Sequence, residues 1–235
     1  MDPTSSPLAA RRTESDEQRL ADLELFVRGV VHDLNNALNV MQTNLYLLRQ
    51  RLPADEIKIQ RPLTRIEDQV GTIGSMLEGY QALYHAEQPS RQRLDLSELV
   101  RKVLQSVGVP DGYQLLTELA EELPLIEADP KLVEASLRAI LRNSIRAMPG
   151  MGEIRVITRR DGDGVELVVE DTGPGVPAEV SNRVFEPFVS TWPEHAGLGL
   201  ALVDRVAASH GGSASVTSAP GEGTRVTIRL PISER

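Results

Sequence analysis

Gly29-Val30-Val31-His32-Asp33-Leu34-Asn35-Asn36-Ala37-Leu38-Asn39-Val40 lies inside a long stretch whose apolar residues recur in steps of three and four. They are Leu20, Leu23, Val27, Val30, Leu34, Ala37, Met41 and Leu48. That period is the seam of a coiled coil or helical bundle and not that of a strand. His32 falls off the seam. Its neighbours on the same outward face are Arg28, Asn36 and Asn39, so the imidazole is expected to point to solvent or to a docking partner. A lone histidine on a helix face is ordinarily just solvated. Here an acid, Asp33, follows at once, and an amide, Asn36, sits one turn later.

Working outward, residues 1–13 are rich in Pro, Ser, Ala and Arg and read as a disordered leader. A helix is expected over 14–52, with Asn44 as the one polar interruption on the seam. Pro53-Ala54-Asp55 breaks it. A second pattern in three-four steps follows at Ile59, Leu63, Ile66, Val70, Ile73, Leu77, Tyr80 and Tyr84. Two such helices make an antiparallel hairpin, and one hairpin cannot cover its own apolar stripe on all sides. A homodimer forming a four-helix bundle is the economical solution.

Gln88-Pro89-Ser90-Arg91-Gln92 reads as a polar linker, after which helix and strand patterns mix. Helices are expected over 96–107, with Asp95 or Ser97 near the start, over 130–148, with Asp129 as N-cap before Pro130, and over 198–210. Strands are expected over 114–119, 153–159, 165–170, 213–218 and 225–230. Asp161-Gly162-Asp163-Gly164 is a hairpin turn, and Gly211-Gly212 closes the last helix. Strands and helices that do not strictly alternate suggest an α+β sandwich. The expected organisation is a leader (1–13), a helical hairpin (14–88) and an α+β domain (93–235).

The formal net charge of −9 disfavours a nucleic-acid-binding surface, and the absence of cysteine excludes disulfides, thiolate metal sites and a cysteine nucleophile. No apolar run approaches a membrane span and no signal peptide opens the chain, so direct membrane insertion is not expected and the cytoplasm is.

Three fragments carry chemistry in the second half. Asp171-Thr172-Gly173-Pro174-Gly175 follows a strand; an ionised Asp only accepts hydrogen bonds, which suits the exocyclic amine of adenine, and glycines let the backbone come close. Gly197-Leu198-Gly199 opens a helix, whose free amides suit phosphate. Asn143, on the helix from Pro130, is either a satisfied core amide or an oxygen ligand for Mg²⁺, and Arg146 lies one turn on, within reach of a phosphate. Each fragment alone is weak.

In combination their order resembles the sensor histidine kinases of two-component systems. His32-Asp33-Leu34-Asn35-Asn36 matches the H-box, Asn143 the N-box and Asp171-Thr172-Gly173-Pro174-Gly175 the G1 box. Phe185-Glu186-Pro187-Phe188 matches the F-box, Gly197-Leu198-Gly199-Leu200 the G2 box, and Gly223-Thr224 the closing Gly-Thr beside the adenine pocket. The resemblance implies a dimerisation and phosphotransfer hairpin followed by an ATP-binding α+β sandwich of the GHKL or Bergerat type. It implies ATP and Mg²⁺ as cofactors, with Asn143 toward the metal. It also implies autophosphorylation of His32 and transfer to an aspartate on a separate response regulator. The signal is expected from a separate sensor or input protein, or from a domain upstream of the leader. Asp33 would fix the tautomer of His32, and Asn36 would orient water for a phosphatase activity. The implied nucleotide contacts are Asn143, Arg146, Asp171, Gly173, Gly175, Phe188, Gly197, Leu198, Gly199 and Thr224.

The chain departs from the family pattern in places. His195-Ala196 replaces the usual Gly-Thr before Gly197, Trp192 stands where a lysine often follows Phe-x-x-Thr, and the lid over 176–196 is short. These changes are the support for an alternative, a non-catalytic phosphotransfer scaffold with a decayed ATP domain. The ATP-hydrolysing relatives of the fold, such as gyrase, carry a Glu one turn before the N-box Asn. Here that position is Ala139, which disfavours direct hydrolysis.

Overall fold

A computed structural model describes residues 29–31, 33–52, 57–192 and 197–233 of the chain. His32, the proposed leader, the helix before Gly29, Pro53-Ala54-Asp55, His195 and Ala196 lie outside the described residues. The chain divides into two compact units, one up to Leu77 and one from Glu78.

The first unit is built from helix α1, described over residues 29–31 and 33–51, and the greater part of helix α2 (Ile57–His85). Its core is a heptad line: Val31, Leu38 and Leu45 from α1 and Leu63 and Val70 from α2 are buried, with Leu52 and Leu77 packed against them. An Arg49–Glu67 ion pair joins the two helices at the surface. This line corrects the seam read from sequence. Val30, Leu34, Met41 and Leu48 are 40–51% exposed, as are Ile59, Ile66 and Ile73 at 39–51%. Each helix therefore carries two apolar stripes, of which one closes the hairpin and the other faces outward. Asn44 is exposed, and its amide donates to the Val40 carbonyl.

The second unit, from Glu78, has one five-stranded sheet in the order β2-β4-β5-β7-β6. The strands are β2 (Tyr113–Leu119), β4 (Gly152–Asp161), β5 (Gly164–Asp171), β6 (Ser213–Ser218) and β7 (Thr224–Pro231). β2 pairs parallel with β4 and all other pairs are antiparallel. Helices α3 (Leu96–Ser106), α4 (Pro130–Ala147) and α5 (Gly199–Ser209) supply the apolar residues that seal one face. Ile154, Val156, Leu167, Val169, Val226 and Ile228 alternate onto it and meet Val100, Leu137, Ile140 and Val203. On the other face Arg155, Glu170 and Arg225 stand in one cross-strand row. This is the α+β sandwich that the mixed pattern predicts.

Local chemistry sets the element ends. Asp129 caps α4, accepting from Lys131 and Leu132 N–H, with Pro130 in the first turn, where no intrahelical donor is needed. Asp95 is the cap of α3, through Glu98 N–H. Ser97 is instead buried and hydrogen-bonded to Thr158 across to the sheet. Gly162, at φ 58°, makes the tight turn between β4 and β5.

A second sheet that the sequence reading lacks pairs β1 (Gln92–Leu94) antiparallel with β3 (Ile126–Ala128). The polar linker thus ends in a strand. It is further tied down by Ser90 N–H to Asp129 Oδ2 (2.8 Å) and by Arg91 to the Ser209 carbonyl (2.6 Å). Also within this unit, Ala82 and Ala86 pack on Leu132, Leu202 and Val206. Among the described residues no helix is long and apolar enough to cross a membrane.

Candidate nucleotide site

Asp171 ends β5 on the side of the sheet that faces α4. Its Oδ2 accepts from Ser144 Oγ (2.8 Å) and its Oδ1 from Gly173 N–H (3.0 Å). The carboxylate is thereby fixed in orientation, with acceptor capacity left for a donor in the pocket. Ser144 was not singled out in the sequence. Its only signal was a small hydroxyl residue on an otherwise apolar helix face, beside Asn143.

The backbone around this carboxylate leaves no room for side chains. At Gly175 (φ 77°) a Cβ would fall 2.1 Å from the Ala219 carbonyl oxygen, and at Gly223 (φ 82°) 2.0 Å from that of Asp171. Ser218, also unforeseen, links the two loops: its hydroxyl donates to the Gly223 carbonyl (2.7 Å) and accepts from Val176 N–H (2.8 Å). Thr224 pairs in register with Asp171, which brings Asp171, Gly173, Gly175 and Thr224 to one end of the sheet.

A second cluster forms where α4 meets α5. Gly199, the first residue of α5, lies against the Asn143 amide, 3.3 Å from Nδ2 to the position of an added Cβ. Leu198 provides no side-chain cap, so the first-turn amides of α5 lack that partner. Gly197 (φ 63°) approaches the Val189 backbone so closely that a Cβ would sit 2.4 Å from its oxygen. Ala139, one turn before Asn143, is buried and packs toward Gly199. These features fit the nucleotide that the fold implies: a fixed carboxylate for the base, a glycine-lined approach, and free amides beside an oxygen-bearing side chain for phosphate and Mg²⁺.

Arg146, one turn after Asn143, is half-buried, and its guanidinium carbon lies 6.0 Å from the centre of the Trp192 ring. Burial, and next the charge of Arg142, hold it below the ordinary arginine pKa. Phe188 stands in solvent, 79% exposed, with a left-handed backbone (φ 67°) that costs a non-glycine residue about 1–2 kcal/mol. Asp33 and Asn36 are exposed on α1.

His210, the residue before Gly211-Gly212, is buried. Its Nε2 accepts from Asp129 N–H (2.9 Å) and its Nδ1 lies 2.7 Å from the Val206 carbonyl, so the Nδ1–H tautomer satisfies both. It joins the start of α4 to the end of α5. A cavity of about 460 Å³ touches Asp171 and Thr224 but is lined mainly by Glu153, Arg155, Glu170 and Arg225 on the helix-free face. Arg155 Nε is buried there without a hydrogen-bond partner. The donors and glycines that suit a nucleotide lie on the helix side.

Comparison with known proteins identifies the family that the chain resembles. Residues 128–234 match the family described as histidine kinase-, DNA gyrase B-, and HSP90-like ATPase. The signal transduction histidine-protein kinase AtoS of Escherichia coli (strain K12) is 32% identical over 97% of this chain and 38% of its own length. The sensory histidine kinase/phosphatase NtrB of Salmonella typhimurium is 29% identical over 97% of this chain and 68% of its own. Among solved structures, full-length ShkA in complex with AMPPNP superposes with a TM-score of 0.67 at 25% identity, covering 93% of this chain and 46% of that one. The chain thus spans well under half the length of AtoS.

Proposed function

Because the chain belongs to the sensor histidine kinases, we propose that its α/β unit binds ATP at Asp171 and that the γ-phosphoryl group passes to His32. One observation carries the reading: the Asp171 carboxylate, fixed by Ser144 and Gly173, stands in a glycine-walled approach as an acceptor for the adenine amine.

Asn143 would offer its side-chain oxygen to Mg²⁺, and the α5 amides and Arg146 would face phosphate oxygens. Bound Mg²⁺ supplies charge neutralisation on the phosphates during transfer. In the transfer itself a ring nitrogen of His32 attacks the γ-phosphorus. The bond from that phosphorus to the β–γ bridging oxygen breaks, and ADP leaves. Asp33 would accept a hydrogen bond from the other ring nitrogen, fixing the tautomer and offsetting the charge on the phosphorylated ring.

The phosphoryl group would then pass to an aspartate of a separate response regulator docked on the hairpin. Asn36 would orient water for the reverse, dephosphorylating role. The outward stripe of Val30, Leu34, Met41, Ile59, Ile66 and Ile73 supports a homodimer in which a second hairpin covers it.

Incubation with γ-labelled ATP and Mg²⁺ tests the proposal. Acid-labile, base-stable label on the wild type, lost in His32→Ala and in Asp171→Ala, is the expected result. A folded dimer that binds ATP yet takes no label would overturn it.

A further inference from the structure

Among the described residues, Arg146 is a cation without a counter-ion. Among them it meets no carboxylate, it is half removed from water, and the one charge acting on it is that of Arg142, one helical turn earlier. Two like charges at that spacing repel, and partial burial of an unpaired cation is unfavourable. What holds the guanidinium in place is the face of Trp192, at the outer limit of a cation–π contact. The backbone that carries the ring is tied down: Ser190 Oγ accepts from the Trp192 backbone N–H (3.0 Å) and donates to the Trp192 carbonyl (2.9 Å). Three residues before Arg146 on the same helix, Asn143 lies against the start of α5.

We propose that Trp192 is a positioning residue: its ring keeps the Arg146 guanidinium on the side of Asn143, where it meets the β- and γ-phosphate oxygens of a nucleoside di- or triphosphate without leaving the ring. The inference rests on the nucleotide reading above and adds a residue to it, together with a preference among nucleotides. A monophosphate or nucleoside fills the Asp171 end and leaves the Arg146–Trp192 pair as it is. A diphosphate or triphosphate meets the guanidinium where the ring holds it, keeps the contact and offsets the Arg142–Arg146 repulsion.

Trp192 is the only tryptophan in the chain, so its emission reports on the pair without labelling. Emission is expected to change saturably with ADP or ATP and to stay constant with AMP or adenosine. In calorimetry, Trp192→Ala is expected to reduce the ratio of ADP to AMP affinity by about threefold to tenfold, as loss of one cation–π contact implies, and Trp192→Phe to restore most of it. Arg146→Ala should abolish the ADP-dependent emission change. A purely structural role for Trp192 would lower AMP and ADP binding together and leave the ratio unmoved. Saturable ADP binding with constant emission, and an unchanged ratio in Trp192→Ala, would overturn this inference alone. Failure of ATP and ADP to bind at all would overturn the nucleotide reading and this inference with it.

Discussion

In the hairpin, Leu38 is buried while Met41, one turn later, is 51% exposed; in the α/β unit, Leu137, Ile140 and Leu141 of a single helix are all sealed. Both regions are rich in aliphatic residues at helical spacing. They differ in what is available to cover them. A sheet presents a broad face, so α4 can bury a wide stripe of apolar residues against it, together with α3 and α5. A partner helix presents a line, so α1 and α2 bury one heptad row each and keep a second. An apolar stripe exposed in one copy of the hairpin is a specification for association, whereas the core of the α/β unit is complete within its own chain.

The largest expected effect sharpens that contrast from the side of the closed core. Leu137→Ala removes a fully buried side chain and should destabilise the α/β unit by about 2–5 kcal/mol, with an unfolding midpoint that does not depend on protein concentration. Next comes the outward stripe. Ile66→Asp combined with Ile73→Asp should shift the protein from dimer to monomer in sedimentation, each position forfeiting about 1.5–3 kcal/mol of burial. The calorimetric transition of the α/β unit should stay where it was. An unchanged mass, or a coincident loss of the α/β transition, would break the comparison.

A smaller effect probes polar groups inside the closed unit. Ser144→Ala leaves one oxygen of Asp171 without its donor and should weaken nucleotide affinity by about tenfold, the value of one hydrogen bond to a charged group, with little change in melting. The smallest concerns the surface. Lys102, through its hydrogen bond and charge, and then Arg101, hold the Glu98 carboxyl below its ordinary pKa. A lowered folded pKa means a stabilising contribution that is present above the unfolded value, near ~4.3, and lost as pH falls through the folded one. The urea midpoints of wild type and Glu98→Gln should therefore differ slightly at about pH 6 and converge as pH falls below the folded value.

What the sequence disclosed follows the range of the interactions involved. Asp129-Pro130 and Asp161-Gly162-Asp163-Gly164 act within a few residues, and both were legible as a cap and a turn. The hairpin was legible too, but its phase was not. Val30 and Val31, or Ala37 and Leu38, are adjacent apolar pairs, and periodicity cannot say which member faces the same chain and which faces outward. β1 and β3 escaped because three residues carry no period, and their pairing joins positions 92–94 to 126–128. In the site, Asp171 and the glycines were visible by order along the chain. Ser144, Ser218 and the placement of Arg146 over Trp192 were not, since each depends on elements that meet only in the folded unit. Phe188, expected at the nucleotide, stands in solvent.

The antiparallel ladder through β5 has a practical use. Gly164, beside the tight turn, pairs with Pro231, and Asp171, at the end proposed for the nucleotide, pairs with Thr224. Seven residue steps of extended strand separate the two ends, about 24 Å. The turn at Gly162 is therefore a port: a peptide tag or fluorophore inserted there would sit a strand's length from the chemistry, reporting on the unit while leaving the Asp171 end untouched.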